Sequence, residues 1–304
     1  PTPTYTPRMS EGPWTSKRLL AWTTQAFEQR GIDSPRVSAE MLLAHVLGVG
    51  RLKLYMDPNR PASELERAAY RDLVERALAD EPVDYLVGPA PFFSMMFKVS
   101  PAVLVPRPST ETVVEHVLQH ARRTPGFESP TVADVCTGSG AVAVSIARQF
   151  RRDKTAVGPG AVVATDLYED ALAVARENAA AHGVTELIDF RHGDLLEPLG
   201  RETFSYLVSN PPYIPDDEWE AVAPNVKDHE PTHALRGGAD GLDLIRPLIA
   251  GALLHLRDPG QLVVEIASVQ KDAAIALANE AGLRNATVLV DHEHLPRVLV
   301  ADTP

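Results

Sequence analysis

Four consecutive residues, Asn210-Pro211-Pro212-Tyr213, combine a primary carboxamide, two backbone positions with no N–H to donate, and an aromatic ring. The prolines leave nearby carbonyls free to accept, and the first of them drives Asn210 toward an extended backbone. The four residues follow the apolar run Tyr206-Leu207-Val208 and so read as a loop at the C-terminal end of a strand. Such a loop fits a planar –NH2 group. The hydrogens of that group would bond to the Asn210 side chain and the free carbonyls, with Tyr213 stacked on its plane. The same residues also suit a plain Pro-rich turn with a half-buried tyrosine, and only their surroundings separate the two readings.

Upstream, Val132-Ala133-Asp134-Val135-Cys136-Thr137-Gly138-Ser139-Gly140-Ala141 reads as a strand, a tight glycine turn and the start of a helix. Gly138 and Gly140 let a ligand approach the backbone. The helix N-terminus favours a carboxylate, and Asp134 suits a ligand ammonium. Position 143 is Ala, so the spacing is not the dinucleotide fingerprint. A zwitterion with a nearby cationic centre fits better than a pyrophosphate. Asp166 ends a second strand, where an acid can bond ribose hydroxyls or cap the following helix. Asp194, in Arg191-His192-Gly193-Asp194-Leu195, follows a third; it can accept from an exocyclic adenine amine or simply close a turn. All these groups are predicted to share one edge of one sheet. Arg107, stiffened between Pro106 and Pro108, is a candidate wall of the site, or else a solvated arginine on a linker.

Together these residues resemble the class I methyltransferases that use S-adenosylmethionine and act on amide or exocyclic nitrogen. Within that group the chain is similar to the protein-(glutamine-N5) methyltransferases of peptide chain release factors. The resemblance runs through residues 33–45, 81–88, 106–111, the glycine turn, 210–213 and 229–242. It departs at Ser109, where the family usually has Glu, and at Cys136, where Gly is common. Related enzymes acting on a large-subunit ribosomal protein often carry Cys at the latter place. The resemblance implies a doubly wound, mostly parallel seven-stranded α/β sheet. It places the donor S-adenosylmethionine against Asp134, Cys136, Thr137, Gly138, Ser139 and Gly140. The ribose would lie on Asp166 and the adenine near Asp194 and Leu195, with Asn210 also beside the donor. A target glutamine would be held by Asn210, Pro211, Pro212, Tyr213 and Arg107, with Asn210, Pro211 and Tyr213 as the catalytic set. The implied reaction is N5-methylation of the glutamine in the Gly-Gly-Gln tripeptide of release factors. Rival readings are a ribosomal-protein glutamine, adenine N6 of nucleic acid, and a non-catalytic donor-binding module that docks on translation factors.

The elements that must position these groups also follow from pattern. Strands are predicted at 131–135, 161–165, 188–191, 206–208, 261–266 and 298–301, with a further candidate at 287–290. Helices at 141–149, 168–182, 242–255 and 269–282 alternate with them, which points to a doubly wound sheet. Residues 14–80 read as a small helical bundle, serving either packing or recognition of a macromolecular substrate. Gly31 stops its first helix, Ser38 caps a second ending at Gly48, 54–61 is a turn, and Ser63 caps a third to about 79. Prolines crowd 82–108, and a hairpin of 97–99 with 103–105 is predicted about Ser100-Pro101, ahead of a helix over 110–120. The expected organisation is a disordered tail at 1–13, a helical substrate-recognition domain at 14–88, a hairpin and linker at 89–108, and a methyltransferase domain at 109–304.

The 304 residues carry a formal net charge of −12, which argues against a broad nucleic-acid surface, and no sequence-specific nucleic-acid binding is expected. Cys136 is the single cysteine, which excludes an intramolecular disulfide and fits a reducing compartment. No apolar run is long enough for a bilayer, and residues 1–7 lack the apolar core of a secretory signal. A cytoplasmic protein without membrane partners is expected. His116 with His120, and His292 with His294, lack the third convergent ligand that zinc needs, so no metal is assigned.

Overall fold

A computed structural model describes residues 13–153 and 160–304. The tail expected at 1–13 lies, but for Pro13, outside the described residues. The described residues divide into two compact units, one ending at Val87 and one beginning at Gly88.

The first unit is helical: α1 (Ser16–Arg30), α2 (Pro35–Leu47), α3 (Arg51–Met56), α4 (Glu64–Leu78) and α5 (Val83–Val87). Leu19, Leu20, Phe27, Leu42, Leu43, Tyr70 and Val74 form its core. Ser63 caps α4 as the sequence predicts. Its hydroxyl accepts from Glu66 N at 3.2 Å while Glu66 Oε2 accepts from Ser63 N at 2.8 Å, a reciprocal capping box. Ser38 does not cap α2. Pro35 starts that helix, its fixed φ suiting the first helical position, and Ser38 sits inside, donating back to Asp33 O at 3.1 Å. The turn expected from residue 54 is partly α3. Its Arg51 and Tyr55 both bond to the buried Glu40, a long-range contact that no local pattern reports.

The second unit opens with the antiparallel pair β1 (Pro89–Phe92) and β2 (Met95–Lys98), not with the predicted hairpin of 97–99 and 103–105. Phe93 and Ser94 make the turn with φ of 48° and 58°, a conformation usually signalled by Asn-Gly. Glu111 Oε1 braces it by accepting from Phe93 N at 2.7 Å. There follow α6 (Glu111–Arg123), β3 (Val132–Val135), α7 (Ala141–Asp153), β4 (Val162–Asp166), α8 (Glu169–Ala181), β5 (Ile188–His192) and β6 (Phe204–Ser209). The chain ends with α9 (Pro224–Lys227), α10 (Ile245–His255), β7 (Leu256–Glu265), α11 (Lys271–Glu280), β8 (Arg284–Val290) and β9 (Pro296–Asp302).

The seven strands order as β5-β4-β3-β6-β7-β9-β8, and only the pairings made by β9 are antiparallel. This is the doubly wound, mostly parallel sheet that the sequence predicts. Alternate residues bury on opposite faces. Val132, Val162, Ala164, Tyr206 and Val208 enter a core shared with α6, α7 and α8. Ala133, Val135, Val163, Leu207 and Val264 enter another shared with α10 and α11. Burial on both faces is why these strands read as continuous apolar runs rather than alternating ones. Strand order reverses at β3, with β4 on one side and β6 on the other, and crevices of such sheets open at that point. Among the described residues no helix is long and apolar enough to cross a membrane.

Removing the α4 cap by Ser63→Ala is expected to cost about 1 kcal/mol. Urea denaturation followed through the helical signal should show it, and an unchanged midpoint would mean that packing alone sets this helix end.

Candidate active site

β3 and β6 run side by side, with Val135 paired to Ser209, so the loops leaving them are neighbours. Ser209 Oγ reinforces the pairing by donating to Val135 O at 2.7 Å. The first loop is the glycine turn. Thr137 N donates to Thr165 O at 2.9 Å, and Gly140 N to Thr137 O at 2.8 Å. Asp134 is buried beneath the turn, its Oδ2 accepting from Thr137 Oγ1 at 2.7 Å and from Ala143 N at 3.0 Å. Burial is the main influence on that carboxyl and pushes its pKa up to about 7. Asp166 accepts from Gly138 N at 2.8 Å and from Tyr168 N at 3.0 Å, and burial raises its pKa too. Asn178 of α8 ties the turn to β2, donating to Ser139 O at 2.9 Å and to Lys98 O at 3.0 Å.

Two positions on this turn explain their own residue types. Cys136 has φ of 60°, a left-handed conformation that costs an ordinary residue roughly 1–2 kcal/mol, so the departure from glycine falls where glycine is most at ease. Burial raises the Cys136 thiol pKa and keeps it neutral. Gly140 has φ of 76°, and a Cβ there would meet Ala175 Cβ at 3.0 Å. Its missing side chain therefore serves close approach of α7 and α8 rather than of a ligand, and Gly140 does not line the crevice.

The second loop carries Asn210-Pro211-Pro212-Tyr213. Asn210 Nδ2 donates to Thr110 Oγ1 at 3.1 Å, while Asn210 Oδ1 is buried with no hydrogen-bond partner. Such an acceptor is costly to leave unmet. Tyr213 does not present its ring to the crevice. The ring packs against the core on the α10–α11 side, and its hydroxyl donates to Glu265 Oε1 at 3.1 Å. Gln270 Nε2 holds Tyr213 O at 2.9 Å. Gly241 comes so close that a Cβ there would lie 2.2 Å from the same carbonyl oxygen, which explains the glycine in this part of the 229–242 stretch.

Both loops open on one crevice of about 310 Å³. Of the residues singled out from sequence, the crevice gathers Asp134, Cys136, Thr137, Gly138, Ser139, Asp166, Asp194, Leu195, Asn210 and Pro212. It does not include Gly140, Pro211, Tyr213 or Arg107 in its lining. Arg107 is instead paired with the buried Glu230 at 2.5 Å, and Glu230 Oε2 also accepts from Val105 N at 3.1 Å. The arginine thus pins the 102–107 segment to the strap that begins at 229. Sequence reasoning missed Thr110, His233 and Arg236, which line the crevice, and Asn178 and Glu265, which support it. His233 stacks on Tyr168 with centroids 3.6 Å apart. Glu265 had a readable signal, an acid closing the buried run Leu262-Val263-Val264. Among the described residues no group of three or more His, Cys, Asp and Glu could hold a metal ion. His116 and His120 stack on each other and bond to Gln261 and Tyr206.

The raised Asp134 pKa makes stability depend on pH. An unfolded Asp titrates near about 3.9, the folded one near about 7. Between those values the folded state keeps a proton that the unfolded chain has lost, so stability falls as pH rises through that window and levels off above it. Asp134→Asn should flatten this slope in denaturant titrations at a series of pH values. Parallel slopes for the two proteins would contradict it.

Family models match two stretches, the "PrmC N-terminal domain" over residues 18–88 and the "Methyltransferase small domain" over residues 108–226. The chain is 36% identical over 293 residues to the release factor glutamine methyltransferase of Geobacter sulfurreducens, covering 96% of this chain and 98% of that protein. Its identity to the protein of the same name from Chlorobaculum tepidum is 39% over 295 residues, covering 94% and 96%. The Streptomyces coelicolor relative of that name is 41% identical over 253 residues, covering 83% and 84%. A crystal structure of a methyltransferase from Pyrococcus furiosus shares the fold, with a TM-score of 0.50 at 16% identity over 75% of this chain and 96% of that one. With two adjoining loops on one crevice and relatives matched along nearly their whole length, the chain belongs to the release factor glutamine methyltransferase family.

Proposed function

We propose that this S-adenosylmethionine-dependent methyltransferase methylates the side-chain N5 of the glutamine in the Gly-Gly-Gln tripeptide of peptide chain release factors. The observation that carries the reading is the buried, unpartnered Oδ1 of Asn210 in the crevice that also exposes the glycine turn. A target carboxamide supplies the N–H that this acceptor lacks.

The residues fit the donor. A Cβ built on Gly138 would meet nothing within 4 Å, so the turn faces open space there. Thr137, Gly138 and Ser139 would lie beside the donor, with Asp166 on ribose hydroxyls and Asp194 with Leu195 at the adenine. Asp134 supports the turn and places negative charge behind it when ionised. Bound S-adenosylmethionine supplies an electrophilic methyl carbon on a sulfonium sulfur.

An amide nitrogen is a poor nucleophile because its lone pair is delocalised into the carbonyl. Asn210 Oδ1, accepting from one of its N–H groups, favours charge build-up on that nitrogen as it attacks, while Pro211, outside the crevice lining, shapes the loop that carries Asn210. Fixed dipoles and alignment then carry most of the catalysis: the N–C bond would form as the methyl carbon's bond to sulfur breaks, and one of the two N–H protons would pass to solvent, so that no strong base is needed. Tyr213 contributes through its bond to Glu265, which holds the loop's far end, and Arg107 through its pairing with Glu230. The net charge of −12 supports a protein rather than a nucleic-acid substrate. Release factors as partners, and the single cysteine, support action in the cytoplasm.

The test is incubation with labelled donor and release factor, ribosomal protein or DNA, followed by mass spectrometry to locate the methyl group. The methyl is expected on the release-factor glutamine. Transfer only to another substrate would overturn the reading. Asn210→Ala should lower turnover on the order of 100-fold while donor binding persists; near-wild-type turnover would remove Asn210 from the mechanism.

A further inference from the structure

Two aromatic rings meet at the rim of the crevice without being placed there by burial. Tyr168 is 37% exposed and His233 is exposed as well, yet both line the crevice. Their centroids lie 3.6 Å apart with planes 26° apart, which is face-to-face contact. Tyr168 is the residue immediately ahead of α8, just past Asp166 at the end of β4. His233 belongs to the strap that follows β6, in the short turn Thr232–Ala234. β4 and β6 flank β3 on opposite sides, so the stack bridges the two sides of the sheet reversal where the crevice opens.

Hydrogen bonds fix the backbone beneath each ring. Tyr168 N donates to Asp166 Oδ1 at 3.0 Å, and Asp166 Oδ2 accepts from Gly138 N at 2.8 Å. The tyrosine is thereby held beside the carboxylate assigned to the ribose. The strap is anchored on both sides of His233. Before it, the buried Glu230 accepts from Val105 N at 3.1 Å; after it, Leu235 O accepts from Ile214 N at 2.9 Å. Between firm roots stands a contact made of ring faces alone. Aromatic stacking is a modest attraction, so such a contact can part to admit a ligand and re-form over it. Resting on the assignment of Asp166 to the donor ribose, we propose that Tyr168 and His233 form a clasp over the ribose side of the crevice that retains S-adenosylmethionine once bound. The spent donor, S-adenosylhomocysteine, has the same nucleoside half, so the clasp holds donor and product alike.

The test uses the full chain with Tyr168→Ala, His233→Ala, the two together, and Tyr168→Phe. Release of labelled S-adenosylmethionine and S-adenosylhomocysteine is followed after a chase with unlabelled ligand, with no release factor present. Thermal unfolding and the proton NMR resonances of the His233 ring are recorded on the ligand-free proteins. Each alanine variant should release both ligands roughly three- to tenfold faster, with Tm unchanged. The double variant should be no faster than either single one, because one change already removes the stack. Tyr168→Phe, which keeps the flat face, should stay near wild type. In Tyr168→Ala the His233 ring should lose the upfield shift that a stacked tyrosine imposes. Wild-type release from either alanine variant, single effects that multiply in the double variant, or His233 resonances that Tyr168→Ala leaves in place would overturn the inference. A protein that shows the clasp yet methylates no release factor would fail the functional reading alone. One that methylates release factor while its variants release ligand at the wild-type rate would fail the clasp alone.

Discussion

The parallel pairing of β3 with β6 is the constraint from which the crevice follows. Val135 and Ser209 are register partners at the ends of adjacent strands, so the glycine turn and the Asn210 loop must leave the sheet side by side. Neighbouring strands lie about 4.8 Å apart, which is close enough for two loops to share one small ligand space without either reaching far. The strand order places this pair at the reversal of the sheet, where no crossover helix covers the gap. Ser209, by donating to Val135 O, locks the two loop roots to each other with a side chain as well as with backbone.

Around that pairing the protein buries several acids, and each has a task that offsets the cost of removing it from water. Asp134 ties the first residues of α7 to the turn. Asp166 joins the turn to the start of α8 through two backbone N–H groups. Glu230 pins the 102–107 segment, and Glu265 gathers the hydroxyls behind the Asn210 loop. Replacing such a group by an apolar one would strand the donors it satisfies, and unmet buried donors cost about 1–3 kcal/mol each.

Glycines work alongside these acids by letting backbones meet. Gly140 admits Ala175 of α8, and Gly241 admits the Tyr213 carbonyl, so the strap after β6 is pressed onto the loop it follows. Ile214 N bonds to Leu235 O and Gly237 N to Ile214 O, both at 2.9 Å, which continues that contact. The strap and the loop thus behave as one folded piece, and His233 and Arg236 reach the crevice from it.

Local pattern determined a good deal. Apolar runs located six strands of the sheet and offered the seventh as a candidate, and their alternation with helices was enough for its doubly wound class. The cap at Ser63 was legible because the residues it closes lie within one helical turn, while its reciprocal partner Glu66 came only with the structure. The acids and glycines at strand ends were legible too, since they fall on one sheet edge by topology alone, but they are a minority of the crevice lining. Tertiary structure decided the rest. The hairpin settled at residues 89–98 because Glu111 braces a Phe-Ser turn from far along the chain. Helix α3 formed over part of an expected turn because Glu40 holds its side chains. Arg107 turned to Glu230, and Tyr213 to Glu265, because buried carboxylates elsewhere in the chain claim them. Sequence spacing carries the direction of a strand end, but a side chain's partner across more than a hundred residues is chosen only when the chain has folded.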